Sequence, residues 1–569
     1  MIGKCALLLI PAALFAQPTI QTQMLDGTPR AVVWHAATGE LVTVEAPAEP
    51  GEALVAQGFG FDNTVQIMAG GTQAATFRID ASTAQFVLPG NAGGSFFPLT
   101  AVTASGFSNT AVLAVDAPYD QIQLSSIDVQ NAVLGAAMAT SGDTLAVVVV
   151  DRPGNILAVY RRTAAQDSDV AKALSLARAG AFFSNQATPL SSRTVRSISR
   201  VNFPEGIPYQ PAGALYGIEN TNRGCDFNVQ YLPGQAFPRE TNVDGSYSLG
   251  IGTVPGGLPL FRGGVTVVGG IGVAGLVSDD ADEYAATEGA QSGGFFVQLP
   301  LPSPGAVFLN GFQLPFIDSG VPAGVQASAS PGGTFQSGPL NGVPAPEGWI
   351  VGPMASAELS ANNVTGIVQN AIDTANLTRA AIRLPEGQRT KMAIAISDLG
   401  GNILALYRMS DSTVFSVDVA LTKARNVVYF SGPNRDPRDL PGVPMGIAVT
   451  NRTIGFGAQV YFPSGIWNTQ PGPFYDMYLA DLATPCTQGN QPANPNQSGI
   501  VFFPGSTALY RNGQMVGGLG VSGDGVDQDD FVTSGGSQNY YVPANIQADQ
   551  IVIRGARLPY WSFPRNPEQ

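Results

Sequence analysis

The chain has 569 residues, 44% hydrophobic and only 12% charged, which is too long for a single core and excludes a disordered or coiled-coil protein. Its net charge of −14 and pI of about 4.5 repel phosphate backbones and anionic lipid, so the partners expected exclude nucleic acid. Lys4 followed by the apolar run Cys5–Ala16 reads as a signal peptide spanning 1–16. That run is too short to cross a bilayer, and no later segment is long and apolar enough to do so. The mature protein is therefore expected to be secreted or periplasmic. Only Cys225 and Cys486 remain after cleavage, and an oxidising compartment permits a disulfide between them. Together with the single histidine, His35, they are too few and too far apart in sequence for a tetrahedral metal site.

Residues 25–118 alternate short apolar runs with turns, among them Ala53–Ala56, Phe86–Leu88 and Ala111–Val115, a spacing that predicts a β-sandwich. Pro50-Gly51 ahead of Gly58-Phe59-Gly60-Phe61, and Gly106–Asn109 before the last strand, resemble immunoglobulin-like domains of the IPT/TIG type. The resemblance implies a spacer or binding module.

Beyond residue 118 the chain repeats itself. Asp151–Arg161 matches Asp398–Arg408, and the same offset carries Ala173-Leu174, Arg178 and Phe183-Ser184 onto Ala420-Leu421, Arg425 and Phe430-Ser431. Four further blocks follow in order: Gln130–Val133 with Gln369–Ile372, Thr221–Arg223 with Thr450–Arg452, Gly269–Gly275 with Gly517–Gly523, and Gly311–Phe316 with Gly555–Tyr560. In each copy the periodicity predicts a helix, a hairpin, an Ala-rich helix, an irregular excursion, a strand running into a glycine loop, and a helix with an acidic start. The fold class expected is α+β and multidomain: the β-sandwich, then two α/β sandwiches with mainly antiparallel sheets at 121–317 and 357–561, joined by a Gly/Pro/Ser-rich linker at 318–356.

In the second copy Ser397-Asp398 leads to Gly-Gly-Asn-Ile-Leu, then Tyr407-Arg408-Met409-Ser410-Asp411, Lys423-Ala424, and finally Gly517–Gly523 with Asp527 and Asp530. This ordered set resembles the GlcG/HbpS-like family, which includes the C-terminal domain of PduO-type adenosyltransferases. The resemblance implies a compact α/β fold, a tendency to form oligomers, and haem or a related tetrapyrrole as ligand. Two copies on one chain are expected to pack as an intramolecular pseudo-dimer or to assemble further. The first copy departs from the pattern, with Leu176 where the second has Lys423, so a retained site is expected in the second copy.

The candidate ligand-binding residues are Arg408, Asp411, Lys423, Gly517, Gly518 and Gly520. Arg408 and Lys423 have the charge to meet carboxylates, or Arg408 pairs with Asp411. The glycines either cradle an anion on backbone amides or permit close packing. The carboxylates Asp279, Asp280, Asp282, Glu283, Asp524, Asp527, Asp529 and Asp530 either bind calcium or favour helix N-termini without a metal. Neither copy has a histidine for haem iron, which leaves Tyr160, Tyr407 and Met409 as conceivable donors. No nucleophile–base set is recognisable, so a non-catalytic ligand-binding protein is expected. The alternative is a structural or interaction protein whose pseudo-dimer is displayed by an Ig-like spacer.

Overall fold

The computed structural model describes residues 18–567, leaving out 26–27, 70–71, 91, 93, 109–110, 117–123, 186–187, 205–206, 208–209, 211, 231–250, 263–265, 296–306, 310, 319, 337–346, 385–387, 464–465 and 467–468. The expected signal peptide lies outside these residues. The chain divides into two compact units, 1–118 and 119–569. In the first, a five-stranded and a seven-stranded sheet are antiparallel except where Ala111–Val115 runs parallel to Thr28–Ala31. Alternate residues of the strand Ala53–Phe59 are buried, as period-2 patterning requires, and Leu54, Ile67, Phe86 and Leu99 form the interior. His35 pairs with Glu52 at 2.6 Å in this unit.

The second unit contains both copies. The first copy runs α1 (Ser126–Met138), β1 (Ala146–Asp151), β2 (Ile156–Arg162), α2 (Asp167–Phe183), α3 (Ser192–Ile198), β3 (Gly257–Arg262), β4 (Thr266–Ala274), α4 (Asp279–Ser292) and β5 (Gly333–Phe335). The second runs β6 (Gly348–Val351), α5 (Ala361–Leu377), β7 (Ala393–Ser397), β8 (Ile403–Arg408), α6 (Phe415–Ser431), α7 (Asn451–Gly457), α8 (Tyr475–Ala483), β9 (Ser506–Arg511), β10 (Gln514–Ser522) and α9 (Val526–Gly536). Each copy has a fully antiparallel five-stranded sheet, in the order β3-β4-β1-β2-β5 and β9-β10-β7-β8-β6. The long helix α2 or α6 covers one face; the pair α1 and α4, or α5 and α9, covers the other. The stretch 318–356 does more than join the copies, because it supplies the edge strands β5 and β6.

The glycine runs sit inside β4 and β10 rather than in anion-cradling loops. A Cβ on Gly520 would lie 2.1 Å from the Ala420 carbonyl and one on Gly518 2.4 Å from that of Ala424; in the first copy Gly272 and Gly270 meet Ala173 and Ala177 at 2.0 and 2.1 Å. The helix backbone rests directly on the strand, so only hydrogen fits there. Gly518 and Gly520 are paired with β7 and β9 on either side, and Gly517 with β9. One repeat match also needs correcting. Thr450 caps α7, and the hydroxyls of Thr450 and Thr453 donate to the Tyr560 and Pro559 carbonyls. In the first copy Ser191 caps α3, while the hydroxyls of Ser191 and Thr194 donate to the Phe316 and Pro315 carbonyls. The counterpart of Thr450–Arg452 is therefore Ser191–Arg193, and Thr221–Arg223 does a different job, described below.

The contact between helix and strand generates a paired prediction. Gly520→Ala is expected to cost at least about 2 kcal/mol by overpacking, whereas Gly366→Ala, in an exposed position of α5 with open space at the Cβ, should stabilise by about 0.5–1 kcal/mol. Urea denaturation of both variants checks this; equal midpoints would contradict the packing account.

Candidate ligand site between the two copies

Helix α6 is buried over all 17 of its residues, including Asp418, Lys423, Arg425 and Asn426. Buried polar groups must find partners, and these come from several directions. Lys423 Nζ donates to Asp529 at 2.9 Å and to the Val521 carbonyl at 2.8 Å, and stands 4.8 Å from the centre of the Phe503 ring. Burial pushes the Asp529 carboxyl up to about 7 and Lys423 down, each against the pull of its partner. Arg425 donates to the Gly401 carbonyl and, across the copies, to that of Phe227 at 2.6 Å. Asn426 bridges Gln488, Gly499 and Asn451.

Other buried contacts join the copies. Arg152, in the β1–β2 turn, donates to Asp411 at 3.0 Å; Asp411 also accepts from Arg383, which holds Asp524 through two nitrogens. Asp411 adopts φ of +63°, a left-handed conformation that turns its carboxylate into this network. Arg223 pairs with Asp481, and Cys225 is disulfide-bonded to Cys486 with Cα atoms 5.4 Å apart. The Thr221–Arg223 segment is thus an inter-copy clamp: Asn222 donates to the Phe415 carbonyl at 3.2 Å.

Beside these contacts lies a cavity of about 430 Å³. The first copy contributes Phe182, Phe183, Leu215 and Ile218; the second contributes Phe415, Phe503, Ile382 and Val526, together with Arg379, Arg565 and Asp529. Phe415 bridges the walls, 6.0 Å from the Phe182 ring and 6.4 Å from that of Phe503. Of the residues singled out in the sequence, Lys423 reaches the cavity through Asp529 and Phe503, and Asp411 lies two residues from the lining residue Thr413. Arg408 is buried elsewhere, donating to the Ser412 carbonyl at 2.9 Å and standing 4.0 Å from Glu347 rather than pairing with Asp411. Tyr160 and Met409 are core residues and Tyr407 packs edge-on against Trp349. The eight carboxylates considered for calcium all have cationic partners: Lys172 and Arg193 in the first copy, Arg383, Lys423 and Arg452 in the second. Among the described residues no cluster of His, Cys, Asp or Glu could hold a metal, and no helix is long and apolar enough to cross a membrane. The aromatic walls were missed in the sequence because Phe182 and Phe415 lie far apart along the chain, and only the copy–copy contact joins them.

The family model described as "Haem degrading protein HbpS-like" matches residues 128–291 and 370–536, more than half of the chain, which therefore belongs to the HbpS-like family. Among solved structures the chain is similar to a PduOC–haem complex, with 18% identity over 33% of this chain and 98% of the other at a TM-score of 0.22. It is similar also to Klebsiella pneumoniae protein ORFY, with 17% identity over 33% and 96% at 0.22. A double mutant of Streptomyces reticuli HbpS gives 19% over 32% and 88% at 0.19. No curated protein matches.

The inter-copy face makes a pH prediction. Burial pushes the Asp418 carboxyl up to about 6, above its unfolded value of about 3.9. The folded state holds that proton more tightly, so the stability this group contributes is complete below pH ~4 and is lost as the pH rises through about 6. Asp418→Asn has no such proton to lose and is expected to flatten the decline in thermal midpoint between pH ~4 and ~8. Calorimetry at intervals across that range checks it, and parallel curves for variant and parent would refute it.

Proposed function

We propose that the chain is an exported, non-catalytic binding protein whose tandem HbpS-like copies jointly hold a flat apolar molecule bearing carboxylates, the class that includes haem and other tetrapyrroles. The observation that carries this reading is the cavity of about 430 Å³ walled by phenylalanines from both copies, with Arg379 and Arg565 on its lining. Neither arginine has a carboxylate within ion-pair distance among the described residues. Aromatic walls suit a flat ring system and guanidinium groups suit its acid substituents.

The fit to haem extends to the ring and its propionates and stops at the iron. Among the described residues no His, Cys, Met or Tyr lines the cavity, and those are the side chains that ligate haem iron. Haem held here would be bound by its faces and edges, and binding should depend little on the metal. Export is supported by the apolar run at 5–16 and by the disulfide, which persists in oxidising compartments. The first unit fits the role of an immunoglobulin-like spacer of the IPT/TIG kind. The buried inter-copy pairs also favour a second reading, in which the joined copies act as one interaction module.

Absorbance titration of the full chain with haemin and, separately, with metal-free protoporphyrin is expected to shift the Soret band in both cases with comparable affinity. The double variant Arg379→Glu/Arg565→Glu should bind both about tenfold more weakly. No shift with either ligand contradicts the proposal; a shift with haemin alone would mean that iron is ligated and overturn the lining argument.

A further inference from the structure

A second cavity, of about 370 Å³, opens on the second copy at the β7–β8 turn and the C-terminal end of α6. Two of its lining residues are the buried arginines Arg425 and Arg435, 1% and 3% exposed. Neither is in an ion pair among the described residues. Arg425 donates to the carbonyls of Gly401 and Phe227 and to Ser498 Oγ at 3.4 Å. Arg435 donates to the carbonyls of Phe430 at 3.2 Å and Val443 at 2.7 Å, while its Nε, buried, has no partner. The carboxylates that act on these arginines do so from beyond ion-pair distance: Asp418 and Asp226 on Arg425, Asp439 on Arg435. Asp439 itself accepts from Tyr429 Oη and Asn490. A buried guanidinium with no carboxylate in contact is costly, and here two of them share one cavity.

We infer that this cavity binds a small organic acid, its carboxylate completing the charge of Arg425 and Arg435. Inorganic phosphate would leave most of the space empty, whereas Val428, Met515 and Pro433 offer an apolar wall for an organic body. Asn434 and Gln491, also on the lining, can hydrogen-bond further oxygens. The site belongs to one copy. Arg178, the counterpart of Arg425, keeps the bond to the turn carbonyl of Gly154 at 3.2 Å. The space over Gly154, however, is filled by Phe182 and by Val414 of the second copy.

The test uses the full chain with benzoate, succinate, citrate and inorganic phosphate at constant ionic strength, read by thermal midpoint and isothermal calorimetry. At least one organic acid is expected to bind saturably with one site per chain and raise the midpoint. Arg435→Gln should abolish this binding. Asn434 is exposed, so Asn434→Asp should leave the fold intact and weaken binding by about tenfold, because its carboxylate repels that of the ligand and competes for the arginines. No saturable effect beyond that of chloride, or undiminished binding to Asn434→Asp, overturns the proposal. Saturable phosphate binding that the organic acids do not compete for overturns the ligand class. None of these readouts involves a tetrapyrrole.

Discussion

A helix with no exposed residue cannot leave a polar side chain in water, and α6 carries Asp418, Thr422, Lys423, Arg425 and Asn426. Its own sheet covers one side so closely that β10 must present glycine beneath Ala420 and Ala424. The opposite side would face solvent in an isolated copy. In this chain residues 222–228 of the first copy, the 496–501 stretch of the second and the Phe182 ring cover it instead. Core residues of α2 and α6 accordingly belong to one continuous apolar cluster. The Arg152–Asp411 and Arg223–Asp481 pairs and the disulfide tie its borders.

Duplication kept the frame and changed the chemistry. Asp529 is neutralised by Lys423, whose first-copy counterpart is Leu176, packed against Gly252 and Gly257. The first copy meets the same need from Lys172, one helical turn earlier, which pairs with Asp279 and stands 3.6 Å from Asp282. A carboxylate at the start of the last helix is thus matched by a cation from the long helix in both copies, from different positions. By contrast, Arg193 with Glu283 and Arg452 with Asp530 keep both partners. The cavity between the copies is unsymmetrical as well: it is walled by the end of α2 on one side and the start of α9 on the other.

Much of the fold was legible because it rests on local signals. The hairpins around Gly154 and Gly401, the two long helices and the Leu-Pro-aromatic segments after Gly311 and Gly555 all follow from periodicity and turn chemistry. The glycine runs were visible, but a run after an apolar strand reads equally as a loop; only the helix backbone above it settles that it is strand. Thr221–Arg223 misled because its letters match Thr450–Arg452, while the hydroxyl positions that matter for capping and for the 315–316 carbonyls are carried by Ser191 and Thr194. The candidate site was legible only at its edge. Lys423 was found through a copy-to-copy difference, whereas the aromatic walls and Arg379 carry no signal until the copies are packed together.

The central claim is that the two copies are one body held by their shared face rather than by the connecting chain. A protease site introduced within residues 337–346, cleaved and followed by reduction of Cys225–Cys486, isolates that face as the only remaining link. Size-exclusion chromatography of the cleaved, reduced protein should then give a single species of the parent's size containing both fragments. Two separately eluting folded fragments would contradict the account.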